Sequence, residues 1–420
     1  MNVVQVNCVY KKGSTGKILY DIHRELLERG VESVVCYGRG ERIKEPSVYK
    51  TSLEWYARLN KVLTRFVGVM YGGCYFSTNQ LISVIKKEKP DIVHLHCING
   101  YFVNIYRLVT WLKNHQIKTV LTLHAEFMYT ANCGYALECE KWKTGCGNCP
   151  RYKQETKSLF FDRTHISWKK MQKAFQGFDK DLIVTSVSPW LMGRAKQSPI
   201  LGDKEHTVVL NGLDTGVFHY NDPSVLREKH GLTDEKIIFH ATPYFCTDPD
   251  HIKGGYYANA LAERLQDHNV KVIVAGPYPE GVQVAENVIL LGRIYDQAEL
   301  AKYYSLADVT LLASKKETFS MVTAESLACG TPVVGFQAGA PEQIAIPEYS
   351  EFVPYGDLDA LERAVEKVMA RNENKAEISQ SGTRKYAKEK MTEDYYAVYL
   401  RFMNKQQGEN HEAKKTAISI

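Results

Sequence analysis

The amino-acid sequence predicts an α/β protein of two doubly wound, Rossmann-like domains with a cleft between them. Short apolar, β-rich runs alternate with helical patterns along the chain, as in parallel sheets covered by helices. The alternation restarts near Asp222, and 420 residues suffice for two domains of ~100–200 residues each. We therefore expect a first domain at residues 1–221 and a second at 222–390, followed by an amphipathic helix at 391–404 and a polar tail at 405–420.

Composition and charge narrow the class of protein. Hydrophobic residues make up 44% of the chain and charged residues 24%, which is ordinary for a globular protein. No apolar run reaches the ~18 residues of a membrane span. The N-terminus lacks the basic start of a signal peptide and predicts a first strand, so we expect a cytoplasmic protein.

The net charge of +5 is unevenly distributed. Residues 1–221 hold 31 Lys+Arg and 19 Asp+Glu, a balance of +12, whereas the remaining residues hold 22 and 29, a balance of −7. A basic first half would suit anionic lipid, a phosphorylated acceptor or nucleic acid.

The first predicted elements are a strand at 2–9, a glycine-rich loop at 11–17, a helix closed by Gly30, and a strand at 31–37. The loop is not a P-loop, because Gly13 and Gly16 are too close for the GxxxxGK[ST] spacing. Two glycines still allow the backbone to approach a ligand closely, and an ordinary tight turn is the alternative.

A basic segment with aromatic side chains follows at 55–76. Apolar residues recur at helical spacing, cations occupy another face, and no acidic residue occurs from 55 to 87. The apolar positions are Trp55, Leu59, Val62, Phe66 and Met70, and the cations are Arg58, Lys61 and Arg65. Such a helix can lie on an anionic membrane surface. The alternative is a core helix with a solvated cationic face.

Two strands of the first domain end in histidines. The run 90–96 ends in His94 and His96 and leads into Asn99, and the run 118–124 ends at His124. Site residues collect at the carboxyl ends of parallel strands. The shared position on two strands therefore favours a site over purely structural histidines.

Four of the ten cysteines lie in one glycine-containing loop. Cys133, Cys139, Cys146 and Cys149 follow the pattern C-x5-C-x6-C-x2-C. In a cytoplasmic protein this pattern predicts a structural, tetrahedral thiolate zinc site, which would fold a loop too short for its own core. Unligated thiols or disulfides are the alternative.

The second domain is organised around residues 309–336, which predict a buried strand, a loop, a helix and the next strand. Glu317 lies in the loop and Glu325 in the helix. The helix start offers N–H groups and a positive dipole end to a phosphate, so the two carboxylates could hold a sugar and a ribose on either side of a diphosphate. The alternative is an exposed loop glutamate and a helix-surface glutamate. Further strands are predicted at 236–241, 271–276 and 288–291.

The stretch from Glu317 to Glu325 resembles the E-x7-E signature of retaining glycosyltransferases of family 4, which have the GT-B fold. Three other segments resemble motifs of that family: Asn211-Gly212-Leu213-Asp214 with Phe218, Lys253-Gly254, and Gly339-Ala340-Pro341-Glu342. The cysteine-rich loop and the segment from His94 to Tyr101 resemble a bacterial subgroup that builds surface polysaccharides. The resemblance covers nearly the whole chain.

The resemblance implies a role for each matching residue. Glu317 would hold a donor-sugar hydroxyl, Lys253 would neutralise the leaving diphosphate, and His124 would contact the sugar near the reacting carbon. The implied donor-binding residues are Gly16, Phe319, Ser320, Met321, Glu325 and Arg293. The implied acceptor and membrane residues are Arg58, Lys61, Arg65, His96 and Asn99. The helix at 391–404 would return to the first domain.

The implied activity is transfer of a sugar, with retention, from a nucleotide-sugar donor to a polyprenyl-linked saccharide. A UDP-sugar is the favoured donor, catalysis would need no metal cofactor, and structural zinc is expected only in the cysteine loop. The protein would work at the inner face of the cell membrane, on its anionic surface, and we expect no nucleic-acid partner. A nucleotide-sugar epimerase, which shares the fold, and a weakly active nucleotide-sugar-binding scaffold are the alternatives.

Two departures from the family pattern stand out. The family carries an Arg a few residues before its Lys, but the segment 242–252 before Lys253 contains none. His251 could assist there, whereas Arg293 is poorly placed by its position in the chain. Ala125 also stands where the subgroup often has Asp. The Asp248-Pro249-Asp250 sequence is interpreted as a polar loop.

Overall fold

The computed structural model describes the backbone of residues 1–418 and the side chains of residues 1–404. It divides into two compact units, with unit 1 formed by Met1–Val209 and Met391–Ile420 and unit 2 by Leu210–Lys390. The return of the chain to unit 1 falls at the residue expected from the sequence. The first boundary lies earlier than the expected 221, because the segment after Val209 pairs within unit 2.

Unit 1 contains a sheet of seven parallel strands in the order β3-β2-β1-β4-β5-β6-β7. The strands are β1 (Asn2–Asn7), β2 (Glu32–Tyr37), β3 (Val48–Lys50), β4 (Ile92–Leu95), β5 (Thr119–Leu123), β6 (Leu182–Ser186) and β7 (Glu205–Val208). The central strands are buried along their whole length, which explains why they appear as apolar runs in the sequence. The order reverses between β1 and β4, where Val3–Val6 pairs with Ile92–Leu95.

Helices connect these strands. They are α1 (Gly13–Glu28), α2 (Glu54–Val67), α3 (Tyr75–Glu88), α4 (Ile105–Asn114), α5 (Phe127–Thr130), α6 (Tyr152–Glu155), α7 (Thr164–Phe175) and α8 (Pro189–Ala195), with a 3₁₀ turn at Lys141–Lys143. The predicted helical segment 55–76 is interrupted, because α2 ends at Gly68 in the left-handed region (φ 74°) and α3 begins only at Tyr75.

Unit 2 contains a sheet of six parallel strands in the order β10-β9-β8-β11-β12-β13. The strands are β8 (Lys236–Ala241), β9 (Val270–Ala275), β10 (Val288–Gly292), β11 (Val309–Leu312), β12 (Val333–Phe336) and β13 (Ser350–Val353). The helices are α9 (Ser224–Lys229), α10 (Gly255–Arg264), α11 (Gln297–Leu306), α12 (Met321–Ala328), α13 (Pro341–Ile344), α14 (Leu358–Met369) and α15 (Lys375–Tyr386), with a 3₁₀ turn at Pro347–Tyr349. Both sheets thus have the doubly wound order expected from the sequence.

The segment 211–214 joins the beginning of unit 2 to its end. The backbone N–H of Leu213 donates to the carbonyl of Tyr386, and the N–H of Lys388 donates to the carbonyl of Leu213. A Cβ on Gly212 would lie 2.6 Å from the Cα of Lys388, so glycine permits this close approach.

The last helix, α16 (Lys388–Ile418), packs on the core of unit 1. Met391, Tyr395, Tyr399 and Phe402 are buried against residues of β1, α1, β4 and β5. The helix therefore begins earlier and ends later than the predicted 391–404. Of the predicted polar tail 405–420, the side chains lie outside the described residues, as do Ser419 and Ile420 altogether. None of the helices within residues 1–418 combines the length and apolar character needed to cross a bilayer.

Candidate functional site

The E-x7-E stretch lies at the point in unit 2 where the strand order reverses. The loop after β8 carries Lys253, and the loop after β11 carries Glu317. Loops at such a switch point, at the carboxyl ends of adjacent strands, form the usual ligand site of a doubly wound sheet. The structure thus brings together two predicted residues that are 64 positions apart in the chain.

Lys253 and Glu317 form an ion pair. Lys253 Nζ lies 2.7 Å from Glu317 Oε1, and the two side chains are 20% and 14% exposed. Glu317 is fixed by its backbone, since its N–H donates to the Ala338 carbonyl and its own carbonyl accepts from the Ala340 N–H. The two groups predicted to hold a sugar hydroxyl and a diphosphate therefore neutralise each other in this structure.

Close backbone packing places Lys253 beside β11. Gly254 has a φ of +68°, and a Cβ there would lie 2.0 Å from the carbonyl oxygen of Ala313. The N–H of Lys315 also donates to the carbonyl of Ile252, which joins the two loops directly. Only glycine fits at position 254, so this residue sets the position of the lysine.

The start of α12 follows Glu317 closely. Ser320 caps the helix through its hydroxyl, which accepts from the Thr323 N–H, and Ser320 itself has a φ of +83°. A serine in the left-handed region stores strain, as residues at binding sites often do. As at any helix start, the N–H groups of the first turn lack intrahelical acceptors and can bind an anion. The predicted donor contacts of Phe319, Ser320 and Met321 lie here, with the Phe319 side chain buried.

Glu325 is positioned by Tyr304, whose hydroxyl donates to Glu325 Oε2 at 2.9 Å. Burial and the neighbouring carboxylate raise the pKa of Tyr304 well above its usual value, so its hydroxyl remains a donor. Arg293 lies elsewhere on the unit, exposed after β10, with its guanidinium 5.8 Å from the ring of Tyr295. The Asp248-Pro249-Asp250 segment forms a turn in which the Asp250 N–H donates to the Asp248 carboxylate.

The predicted histidines of unit 1 form one cluster. His96 and His124 stack with ring centroids 5.6 Å apart, and His96 Nδ1 lies 3.3 Å from His124 Nε2. The His94 ring lies 3.8 Å from that of His96, tilted by 36°, and contacts the hydroxyls of Tyr399 and Thr122 through its two ring nitrogens. Two strand ends and the C-terminal helix therefore build this cluster together.

The cluster is neutral at physiological pH. Burial lowers the pKa of His124 to about 4. Burial, reinforced by the neighbouring imidazoles, lowers the pKa of His94 and His96 well below the usual value. His96 Nε2 is buried and has no hydrogen-bond partner among the described residues. Neutral imidazoles can donate or accept hydrogen bonds from sugar hydroxyls without adding charge.

Two other predicted residues of unit 1 lie near strand ends. Gly16 is in the first turn of α1 rather than in the loop, because the helix already begins at Gly13. A Cβ on Gly16 would lie 3.0 Å from the side chain of Val9, so this glycine packs the helix against its own loop. Asn99 is half-buried in the loop after β4, next to Gly100, whose carbonyl accepts from Arg39.

The helix α2 presents its apolar face outward, opposite to the orientation of an ordinary amphipathic helix. Its buried residues are Ala57, Asn60 and Thr64, whereas Trp55 is 64% exposed. The exposed large side chains here are Leu53, Trp55, Leu59, Val62, Leu63, Phe66, Val67, Phe76, Phe160 and Phe161, together called the apolar patch. Phe66 packs on Phe160 at 5.9 Å between ring centroids. Arg58, Lys61 and Arg65 are exposed on the same helix.

The cysteine-rich loop surrounds a small cavity of about 20 Å³ lined by all four cysteines. The thiols are free, and burial raises the pKa of Cys133 and Cys146. Within the residues that the structure describes, no group of three or more His, Cys, Asp or Glu side chains is arranged to hold a metal ion. The four thiols therefore line one small cavity but do not form a tetrahedral metal-binding group in this structure.

Several residues that build these sites were not identified from the sequence. Tyr395 and Tyr399 support His94 from the far end of the chain, and Tyr304 positions Glu325. Glu126 is fully buried and ion-paired with Arg194 at 2.6 Å, and it accepts the Ala136 N–H, which anchors the cysteine-rich loop. Glu126 could have been identified from the sequence, because it is a charged residue two positions after His124 within an otherwise apolar run.

Comparisons with known proteins match both units. The model for Glycosyltransferase Family 4 matches residues 15–217, and the model for Glycosyl transferases group 1 matches residues 251–371. The second match contains Lys253, Glu317 and Glu325.

Curated relatives align over nearly the whole chain. "Putative colanic acid biosynthesis glycosyl transferase WcaC" of Escherichia coli K12 is 24% identical, over 95% of this chain and 99% of its own. "N-acetyl-alpha-D-glucosaminyl L-malate synthase" of Bacillus anthracis is 21% identical, over 94% of this chain and 96% of its own.

Solved structures share the fold. HepE of Anabaena, determined in complex with UDP, superposes with a TM-score of 0.65 at 13% identity, covering 96% of this chain and all of its own. The sucrose-phosphate synthase of Thermosynechococcus elongatus superposes with a TM-score of 0.63 at 15% identity, with the same coverage. The predicted fold class is confirmed.

Proposed function

Because the chain belongs to the glycosyltransferases of family 4, with the GT-B fold, we propose that it moves a sugar from a nucleotide-sugar donor to a saccharide acceptor with retention of configuration. The observation that carries the donor site is the Lys253–Glu317 contact at the strand-order reversal of unit 2, next to the start of α12. Cationic, carboxylate and backbone N–H groups meet there, and these are the groups that a sugar diphosphate requires.

The chemical task is to stabilise a departing nucleotide diphosphate and an oxocarbenium-like sugar. When the donor binds, its diphosphate replaces Glu317 as the partner of Lys253, and Glu317 turns to a sugar hydroxyl. The first-turn N–H groups of α12 bind the same diphosphate, and Glu325 takes the ribose hydroxyls. His124, neutral at physiological pH, donates to or accepts from the sugar near the reacting carbon. The acceptor hydroxyl then attacks from the face that the diphosphate leaves: its oxygen bonds to the sugar carbon as the bond from that carbon to the diphosphate breaks, and its proton passes to an oxygen of the departing diphosphate.

The diphosphate clamp has no arginine in the segment before Lys253, and His251 is the proposed assistant. Its Nδ1 is buried and makes no hydrogen bond within the described residues. Its N–H and carbonyl belong to the turn that leads to Gly254. The His251 ring would supply a hydrogen bond to the diphosphate beside Lys253.

The donor and the product class are supported by the comparisons. The Anabaena structures contain UDP and UDP-glucose, which favours a UDP-sugar. The name of the E. coli relative refers to colanic acid biosynthesis, so we propose a role in synthesis of a capsule, an exopolysaccharide or an O-antigen. The acceptor would be a polyprenyl-linked saccharide at the inner face of the cell membrane.

Membrane attachment through α2 is part of this proposal. The helix α2 buries Ala57, Asn60 and Thr64 but exposes tryptophan, leucine and phenylalanine side chains to water. An exposed apolar surface of this kind is typical of an interaction site. Arg58, Lys61 and Arg65 suit an anionic lipid surface beside it. The patch would insert into the interface without crossing the bilayer.

Transfer of labelled sugar from UDP-sugars to lipid-linked saccharides tests the activity. Lys253→Ala and Glu317→Ala should abolish transfer while both proteins remain folded. Lys367→Ala is the matched control, because it removes an exposed ion pair of unit 2 with Glu351. Full activity in both site variants would contradict the proposal. Conversion of the sugar nucleotide without any acceptor would instead indicate an epimerase, and donor binding without turnover across an acceptor panel would indicate a scaffold.

Structural zinc in the cysteine-rich loop is proposed separately. The shared cavity of Cys133, Cys139, Cys146 and Cys149 supports it, since drawing four thiols together would close a tetrahedral thiolate site. Purified protein should contain about one zinc per chain, and replacing the cysteines by serine should release it. Metal-free protein that unfolds at the same temperature as the purified form would contradict this proposal.

A further inference from the structure

A basic groove of about 710 Å³ lies on unit 1 between α4 and α7. Its lining combines cations, aromatic rings and side-chain amides, and no carboxylate contributes to it. The cations are Arg107, Lys113, Lys170 and Lys173, and the aromatic residues are Tyr75, Tyr106 and Trp111. None of the residues assigned to sugar transfer lines this groove.

The four cations of the groove have no acidic partner within residues 1–404. No ion pair with a carboxylate is found for any of them among the residues whose side chains the structure describes. Arg107 instead faces the ring of Tyr75 at 5.8 Å, and Lys170 faces Tyr106 at 6.0 Å. Lys113 donates to the backbone carbonyl of Gln176. Concentrated positive charge without counter-charge destabilises the protein alone and favours binding of an anion.

The groove adjoins the apolar patch at the start of α3. Tyr75 lines the groove, and the next residue, Phe76, belongs to the patch. On α7, the exposed Ile166 lies one turn before Lys170. A ligand in the groove would therefore contact its cations and have exposed apolar side chains nearby.

We propose that this groove binds the phosphate headgroup of an anionic glycerophospholipid, while the apolar patch inserts beside it. The inference rests on the membrane attachment proposed above and is independent of the sugar-transfer proposal. Lipid is the occupant that uses both surfaces, because its phosphate meets the cations and its acyl chains meet the patch. An acidic saccharide or a nucleic acid would satisfy the cations but leave the adjoining hydrocarbon in water.

Sedimentation of the full-length protein with vesicles tests the groove. We would compare phosphatidylcholine vesicles with vesicles that contain 30% phosphatidylglycerol. The groove variant is Lys170→Gln/Lys173→Gln. The matched control is Lys44→Gln/Lys196→Gln, which removes the same charge from exposed positions of unit 1 outside the groove. Soluble glycerol phosphate at the same total phosphate concentration is the third arm.

The proposal predicts that the groove variant loses about 25-fold in partitioning to phosphatidylglycerol vesicles, about fivefold for each cation, while the control loses much less. All three proteins should bind phosphatidylcholine vesicles equally. Equal losses of vesicle binding in the two variants would overturn the role of the groove, since binding would then follow net charge alone. If glycerol phosphate binds as tightly as the vesicles do, the phosphate need not belong to a lipid, and the proposed lipid ligand would be overturned. Failure of the wild-type protein to bind any vesicle would overturn membrane attachment, and with it this inference, but not sugar transfer.

Discussion

Replacing Glu317 by glutamine should strengthen the binding of UDP while it slows sugar transfer. In the wild-type protein, the diphosphate must displace the Glu317 carboxylate from Lys253, with 2.7 Å between the paired atoms. Glutamine keeps the shape of the side chain but removes the charge. The lysine is then available to the diphosphate, and the repulsion between Glu317 and the bound phosphates disappears.

The size of the expected gain in UDP affinity follows from the solvent exposure of the Lys253–Glu317 ion pair. Exposed ion pairs contribute about 0–1 kcal/mol, and this pair, at 20% and 14% side-chain exposure, lies at or slightly above the upper end of that range. Removing a cost of about 1 kcal/mol should tighten UDP binding by roughly fivefold. The lost hydrogen bond from the sugar hydroxyl to a charged acceptor, worth about 1.5–3 kcal/mol, should lower kcat/KM by roughly 10- to 100-fold.

Titration calorimetry of UDP against wild type and Glu317→Gln measures the first effect. Glu351→Gln is the matched control, because Glu351 pairs with Lys367 at 2.9 Å on the exposed edge of the same unit. The double variant Lys253→Ala/Glu317→Gln should lose the gain. If Glu317→Gln binds UDP no more tightly than wild type does, Lys253 is not the partner of the diphosphate and the reasoning fails.

Three further predictions concern the site residues. Gly254→Ala should destabilise unit 2 by about 3 kcal/mol or more in urea unfolding and abolish donor binding. Gly281→Ala is the control: it has a similar φ but open space around its Cβ, so it should destabilise the unit by only about 1–2 kcal/mol. Equal losses of stability in the two variants would refute the close approach at Gly254. Tyr304→Phe should raise the KM for the donor several-fold with a smaller change in kcat, because Glu325 loses the hydroxyl that positions it; steady-state kinetics with unchanged KM would contradict this. Burial lowers the pKa of His124 from 6.5 to about 4, so the unfolded chain binds the proton first as the pH falls. The stability measured by urea unfolding should therefore decrease from about pH 6.5 towards pH 4, and this decrease should be smaller in His124→Gln. An unchanged pH dependence in the variant would refute the lowered pKa of His124.

The sequence allowed the fold to be predicted well where strands are buried on both faces. β8, for instance, has the predicted bounds, because an apolar run between helical patterns indicates such a strand clearly. The edge strands β3 and β13 were missed, since they are short and half-buried and lack a continuous apolar run. The helix start at Gly13 was placed too late, because glycines inside a first turn resemble a loop.

The candidate site was predictable as a set of residues but not as a geometry. The E-x7-E spacing identified Glu317 and Glu325, but no local pattern shows that Lys253 pairs with Glu317 across two loops. The orientation of α2 was also hidden, because helical periodicity identifies an apolar face without telling whether that face meets a core or solvent. Tyr399 could not be connected to His94, since the two are brought together only by the return of α16.

A thermal-shift screen of nucleotide sugars measures whether unit 2 binds a nucleotide-sugar donor through Lys253. A ligand at about 100 times its Kd adds about 2.7 kcal/mol to the stability of the native state, which raises Tm by roughly 5–10 °C for a domain of this size. We expect such a rise for at least one UDP-sugar in wild type and in Lys367→Ala, and a much smaller rise in Lys253→Ala. No rise with any nucleotide sugar, or an equal rise in Lys253→Ala, would contradict this expectation.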